Sequence, residues 1–198
     1  MADMQLDENY WDTRYHEGQT QWDTGAITTP LKAYFDQLKD KSVSILIPGC
    51  GNAYEAEYLH QEGFENVYLV DISALPLQNF AARCSDFPSN HLLHKDFFAL
   101  TRKFDFIIEQ TFFCALHPSQ RGDYASKCAE LLHNGGHLVG LLFNDKLNSN
   151  HPPYGGCKND YTGYFAPYFD FKVFDECYNS IGPRAGRELF INLIKKQL

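Results

Sequence analysis

From residue 42 to 143 the chain alternates short apolar runs with longer segments whose apolar positions recur every three or four residues. The run 43–48 is apolar almost throughout, as a strand buried on both faces should be, and 67–71 repeats the pattern and closes on Asp71. Between them, 54–61 is rich in helix formers and ends before Gly63, a natural stop. Ser73 is placed to cap a second helix running to about Arg83, a short strand follows at 91–94, and a clearer one at 104–109. The segment 119–133 has helical spacing, and Asn134, Gly135 and Gly136 supply a left-handed stop before a strand over 137–143. This rhythm predicts an α/β fold, with stacked βα units around a mostly parallel sheet.

The pattern changes at both ends. Two strand-like runs, 169–178 and 188–195, are joined by Gly182, Pro183 and Gly186, which predicts an antiparallel hairpin on one sheet edge. The connection 144–158 carries Pro152, Pro153, Gly155 and Gly156 and reads as a mobile loop at the active site. Ahead of the first strand, Tyr10, Trp11, Tyr15 and Trp22 precede a helix-like stretch over 30–38. Aromatics in such a segment have to cover something apolar, either the sheet edge or a ligand crevice.

At 198 residues, the length suits one well-buried domain, 1–198, with an N-terminal helical lid over 1–40 and a core over 42–198. A net charge of −8, with no basic cluster larger than Lys195–Lys196, argues against a phosphate-backbone partner. The longest strongly apolar stretch, 138–143, is far below the roughly 20 residues of a membrane span, and the N-terminus has no signal-peptide pattern. The expectation is a cytoplasmic monomer without nucleic-acid or membrane partners. Six cysteines without a Cys-x-x-Cys pair should be free thiols, and no His-Glu-x-x-His motif is present, so no metal is expected.

The strongest local signal is Pro48, Gly49, Cys50, Gly51 between the first strand and the first core helix. Glycines there permit a tight turn and let a ligand lie against bare backbone beside free helix N–H groups. Tyr54 stands where a dinucleotide fingerprint would have its third Gly, so a pyrophosphate is not favoured. Asp71 ends the second strand 20 residues after Gly51, where a carboxylate can accept both ribose hydroxyls of an adenosine, with Ile72 beside it. Asp96, after the third strand, can take an adenine amino group while Phe97 packs near the ring.

The segment from Trp11 to Asp23, the Pro48–Gly51 turn, Val70 to Ser73, Phe104–Asp105, Thr111 to Ala115, and Pro152 to Tyr154 together resemble the thiopurine S-methyltransferase superfamily. The resemblance is strongest to its halide and thiol methyltransferase branch and covers nearly the whole chain. It implies a Rossmann-like class I fold with a seven-stranded sheet, S-adenosylmethionine as cofactor, and a small-molecule methyl acceptor. It also implies that Trp11, Tyr15 and Trp22 lie over the cofactor, with Trp22 also touching the acceptor. Gly49 falls against the methionine part, Asp71 on the ribose, Asp96 and Phe97 at the adenine, and Gln110 beside the reacting centre. Thiopurine methyltransferases have Arg at the position of Gln110, and Ile47 replaces the acid common at the start of the glycine motif in wider methyltransferases.

Methyl transfer from a sulfonium is an in-line displacement in which sulfur loses its positive charge, so the protein chiefly aligns the reactants and excludes water. Trp22, Phe112, Phe113 and Tyr154 are candidates for cation–π contact with the sulfonium, and Trp22, Phe113 and Tyr154 for the acceptor wall. Glu109, His117 and His151 are candidate bases, each with a structural alternative, while Cys114 among apolar neighbours reads as a packing residue. A thiolate or halide acceptor needs no base. Two other readings stay open at this point: an NAD-dependent oxidoreductase in the same crevice, and a protein that holds S-adenosylmethionine without turnover.

Overall fold

The computed structural model describes residues 6–197. Strands β1 (Ile45–Pro48), β2 (Val67–Asp71), β3 (Leu92–His94), β4 (Phe104–Gln110), β5 (Leu132–Phe143), β6 (Phe169–Glu176) and β7 (Glu188–Lys195) form one sheet in the order β3-β2-β1-β4-β5-β7-β6. The first five are mutually parallel; β7 runs antiparallel between β5 and β6. Helices α1 (Glu8–His16) and α2 (Thr29–Phe35) precede the sheet, α3 (Tyr54–Gln61), α4 (Ala74–Arg83) and α5 (Arg121–Leu131) are crossovers, and α6 (Lys158–Phe165) leads into the hairpin.

The apolar runs behave as the two-sided strands they spell. In β1, Leu46 packs into one core with Tyr124, Cys128 and Phe165 from α5 and α6. Its neighbours Ile45 and Ile47 point to the other face, against Leu31, Phe35, Leu59 and Phe80 from α2, α3 and α4. Helices on both faces leave the carboxyl ends of the parallel strands as the open side of the layer, where such sheets bind ligands.

Four expectations are revised. The helix over 119–133 stops at Leu131, and Leu132 enters the sheet at once, paired with Phe104; pairing resumes at Phe106 with His137. Asn134, Gly135 and Gly136 therefore form an irregularity inside β5, with Gly135 at φ +76°, rather than a helix stop. Ser73 occupies the N-cap of α4 but makes no side-chain cap; its hydroxyl donates instead to Asp12 of α1. The helix α6 lies where no element was expected. Finally, the connection 144–158 is tied down: Arg121 donates to the carbonyls of Tyr154 and Gly155, the Tyr154 N–H donates to the Cys114 carbonyl at 2.7 Å, and Tyr154 is buried. It is a fixed wall.

Candidate active site

A cavity of about 480 Å³ opens at the carboxyl end of the parallel strands, a volume suited to a nucleoside-sized ligand. One end is made by the first two βα units. After β1 the backbone turns through left-handed conformations at Gly49 (φ +54°) and Gly51 (φ +52°). A Cβ on Gly49 would collide with the Phe112 ring, so that position needs a bare backbone for the aromatic side chain to close over the turn, while at Gly51 it is the left-handed backbone that favours glycine. The Gly51 N–H donates to Asp71 Oδ2 at 3.3 Å and the Ser73 N–H to Oδ1 at 2.9 Å. Burial pushes the Asp71 carboxyl up to about 6, partly offset by these N–H groups. Asp71, Ile72, Asp96, Phe97 and Gly49 all line the cavity. Asp96 also accepts from the Phe98 N–H at 2.9 Å, so its capping role and a ligand role coexist.

The lid is α1 and the turn after it. Asp7 caps α1, Glu8 pairs with His94 at 2.9 Å, and Asp12 accepts from Ser73, which docks the helix beside the end of β2. Trp22 meets both Trp11 and Tyr15 edge to face, with ring centres 5.7 Å apart in each case, and all three rings line the cavity. Burial, the largest cause, and the nearby Asp71 raise the Tyr15 phenol far above its ordinary range.

The opposite wall departs from the sequence reading. Glu109 is fully buried at the end of β4, where Oε1 accepts from the Phe112 and Phe113 N–H groups at 2.8 Å each and Oε2 from the Tyr124 hydroxyl at 2.6 Å. It holds the turn that starts at Thr111 (φ +62°), and burial pushes its carboxyl up to about 7. That turn presents Phe112 to the cavity and sends Phe113 into the core, against Tyr124, Tyr161 and Phe165. Phe113 is therefore corrected from a wall residue to a core residue. Tyr154 is corrected likewise: at 2% exposure it packs on the His117 ring behind the wall, leaving Pro152 and Pro153 to face the cavity. Gln110 and Gly51 line a side pocket of about 40 Å³, joined to the cavity by Trp22 and Gly49, and the Gln110 carboxamide accepts from the Thr28 hydroxyl at 3.3 Å. His117 faces Ser119 and His151 the Pro152 carbonyl; neither lines the cavity.

Four cationic residues were not foreseen: Arg14 from α1, Lys95 just after β3, and Arg184 and Arg187 from the segment before β7. The pairing of Phe143 with Glu188 shows why Arg184 and Arg187 reach the site. An antiparallel strand begins where its parallel neighbour ends, so the chain entering β7 must cross the carboxyl end of β5. The hairpin expectation contained that signal, once β7 rather than β6 is set beside β5.

The model of the family described as thiopurine S-methyltransferase matches residues 6–188. A probable thiol methyltransferase 2 of Arabidopsis thaliana is 30% identical over 185 residues, covering 90% of this chain and 81% of that protein. Thiocyanate methyltransferase 1 of Brassica oleracea is 28% identical over 190 residues, covering 92% and 83%. Among solved structures, the 1,6-didemethyltoxoflavin-N1-methyltransferase of Burkholderia thailandensis superposes with a TM-score of 0.78 at 17% identity, over 96% of this chain and 87% of that one. Magnesium protoporphyrin IX methyltransferase from Synechocystis, solved with bound S-adenosylmethionine, superposes at 0.76 and 14% identity, over 99% and 100%. At those identities the structures speak for the fold alone, a Rossmann-like class I methyltransferase fold.

Proposed function

The chain belongs to the thiopurine S-methyltransferase family and is an S-adenosylmethionine-dependent methyltransferase, and from that premise we propose that it methylates a small soft nucleophile that arrives as an anion: a thiolate, hydrosulfide, thiocyanate, halide or related selenium compound. Family membership sets aside the NAD-dependent oxidoreductase. One observation carries the choice of acceptor. Besides Asp71 and Asp96, the cavity takes Arg14, Lys95, Arg184 and Arg187 into its lining, while Glu109, His117 and His151 stay outside it. A wall lined by cationic side chains, two of them shared with Glu188 and Asp145 behind it, and by none of these three bases suits an acceptor that needs no deprotonation there.

The residues at the turn fit the cofactor: a buried carboxylate faces a cavity floored by bare glycine backbone. When bound, S-adenosylmethionine supplies an electrophilic methyl carbon on a cationic sulfur. Asp71 is assigned to the ribose hydroxyls, Asp96 and Phe97 to the adenine, and Ile72 to the ribose edge. Gly49 gives backbone to the methionine part, and the Gly51 N–H steadies Asp71 from the side pocket. Trp11, Tyr15 and Trp22 cover it and exclude water, and Phe112 joins Trp22 in facing the cation, each aromatic contributing about 0.5–2 kcal/mol. That attraction acts on substrate as well as transition state, so rate comes mainly from alignment. Gln110, bonded to Thr28 in the side pocket, is assigned to holding the lid's exit segment against the turn. Its place outside the main cavity gives no support to a purine acceptor held by this position. The same reading has a monomer in the cytosol. Among the described residues all six cysteines are free and no helix is long and apolar enough to cross a membrane.

The test is incubation with S-adenosylmethionine and a panel of thiols, hydrosulfide, thiocyanate, halides, selenium compounds and thiopurines, following S-adenosylhomocysteine release. Turnover with the small anions at the head of the panel is expected. Turnover restricted to thiopurines, or none at all, overturns the acceptor reading.

A further inference from the structure

Arg184 is a cavity residue that no motif accounts for. It lies in the turn Gly182–Arg184 just before β7, is 8% exposed, and lines the cavity beside Phe143 and Trp22. Its Nη1 donates to Glu188 Oε1 at 3.3 Å, at the root of β7. Its Nη2 donates to the backbone carbonyl of Trp22 at 2.9 Å, across 162 residues of sequence. The guanidinium carbon stands 5.4 Å from the centre of the Phe143 ring. One cation thus joins the antiparallel strand, the end of β5 and the lid, and it grips the lid at the residue whose ring contacts both Trp11 and Tyr15.

We infer that Arg184 is a positioning residue that couples binding of the anionic acceptor to closure of the aromatic lid over the cofactor. The inference rests on the methyl-transfer reading above. A guanidinium carries five N–H groups in one rigid plane. The contacts to Trp22 and Glu188 use one N–H on each terminal nitrogen, each of those nitrogens carries a second N–H, and the residue lines the cavity. An anion there fixes the orientation that holds the Trp22 carbonyl, and a lid held by cofactor fixes the same carbonyl and so the same guanidinium. Each ligand therefore prepares the site for the other, and the coupling must be equal in both directions. Lysine, a single point donor, can serve the carbonyl or the anion but lacks the planar fork that serves both.

The experiment measures thiocyanate binding by calorimetry with and without saturating S-adenosylhomocysteine, a pair that cannot react because the methyl group is gone. In the wild type, S-adenosylhomocysteine should tighten thiocyanate binding by about fivefold or more. In Arg184→Gln that ratio should fall to about one, and in Arg184→Lys it should fall similarly while part of the anion affinity remains, with circular dichroism checking the fold of each. A purely structural arginine would alter stability and leave the ratio in place. A ratio of one in a wild type that binds S-adenosylhomocysteine overturns the coupling and spares the methyl-transfer reading. A ratio within twofold of wild type in either folded variant overturns it too. Failure of the wild type to bind S-adenosylhomocysteine at all brings down both. If the Gln variant does not fold, the Lys variant decides.

Discussion

The two ends of the cavity are assembled from different distances along the chain. At the end proposed for the cofactor, Gly49, Asp71 and Asp96 come from successive βα units, each at the carboxyl end of a strand, and the backbone N–H groups of Gly51 and Ser73 set the Asp71 carboxylate. At the end proposed for the acceptor, Phe112 is aimed by a buried carboxylate three residues back, Pro152 and Pro153 by a pinned loop, and Arg184 by contact with Trp22. The first end follows from local geometry that any chain of this topology repeats. The second depends on contacts across most of the sequence, so one substitution behind the wall should cost more there than a loss of ligand contact.

The sharpest way to break that contrast is Glu109→Ala. It removes the acceptor of three hydrogen bonds inside the core, from the Phe112 and Phe113 N–H groups and the Tyr124 hydroxyl. Each stranded donor costs about 1–3 kcal/mol, so destabilisation of about 3 kcal/mol or more is expected in a denaturant titration, with turnover lost because Phe112 is no longer aimed. Glu109→Gln keeps one acceptor oxygen and should cost less. Because burial raises Glu109 to about 7, its charge is a cost of the folded state that is absent below the unfolded carboxyl range and fully present above about 7. Wild-type stability should therefore lose a contribution as pH rises from about 4.5 to 7, and Glu109→Gln should lack that part of the slope. A variant as stable as the wild type would show that the wall does not hang on this carboxylate.

Asp71 tests the local end, with a smaller expected effect on stability and a direct one on affinity. Asp71→Ala should weaken S-adenosylhomocysteine binding by more than about 1.5 kcal/mol, roughly tenfold or more, by removing a charge-assisted acceptor. In the wild type the ligand-free carboxyl is raised to about 6 by burial, and the ribose hydroxyls bond best to the ionised form. Affinity should hold above pH 6 and fall by up to about tenfold per unit below it, while Asp71→Asn should be flat over the same range. Calorimetry in matched buffers reads both, and equal affinity at pH 5 and 7 in the wild type would remove Asp71 from the ribose.

How much of this was legible in the sequence follows the same division. Continuous apolar runs gave β1, β2 and β4 to within two residues, because a strand buried on both faces has to be written that way. The glycine turn and Asp71 were legible because spacing along the chain fixes their separation in space. Phe113 and Phe112 were not distinguishable, since adjacent aromatics read alike and only the turn held by Glu109 decides which one faces the cavity. Composition also misjudged the stretch 144–158, whose Pro and Gly residues suggested mobility. What pins it is Arg121, a helix residue with no local mark of that role. Arg184 and Arg187 stayed hidden because the segment before β7 read only as a hairpin joint.

The finest test of the contrast is Arg187, since it separates a charge that merely attracts from one that is built in. Arg187 lines the cavity but is half-exposed, and its Nε donates to Asp145 Oδ2 at 2.5 Å, an ion pair open to solvent on both sides. An exposed charge of this kind is screened by water and salt and contributes little to a bound state, acting instead on the rate of encounter with a charged ligand. Arg187→Gln should raise KM for thiocyanate about two- to threefold at low ionic strength, leave kcat unchanged, and lose its effect on KM near 1 M salt, where the screening length is about 3 Å. A fall in kcat, or an effect that persists in high salt, would move Arg187 from the rim of the site into the constellation that Arg184 holds, and the distant half of the cavity would then be more tightly built than its exposure suggests.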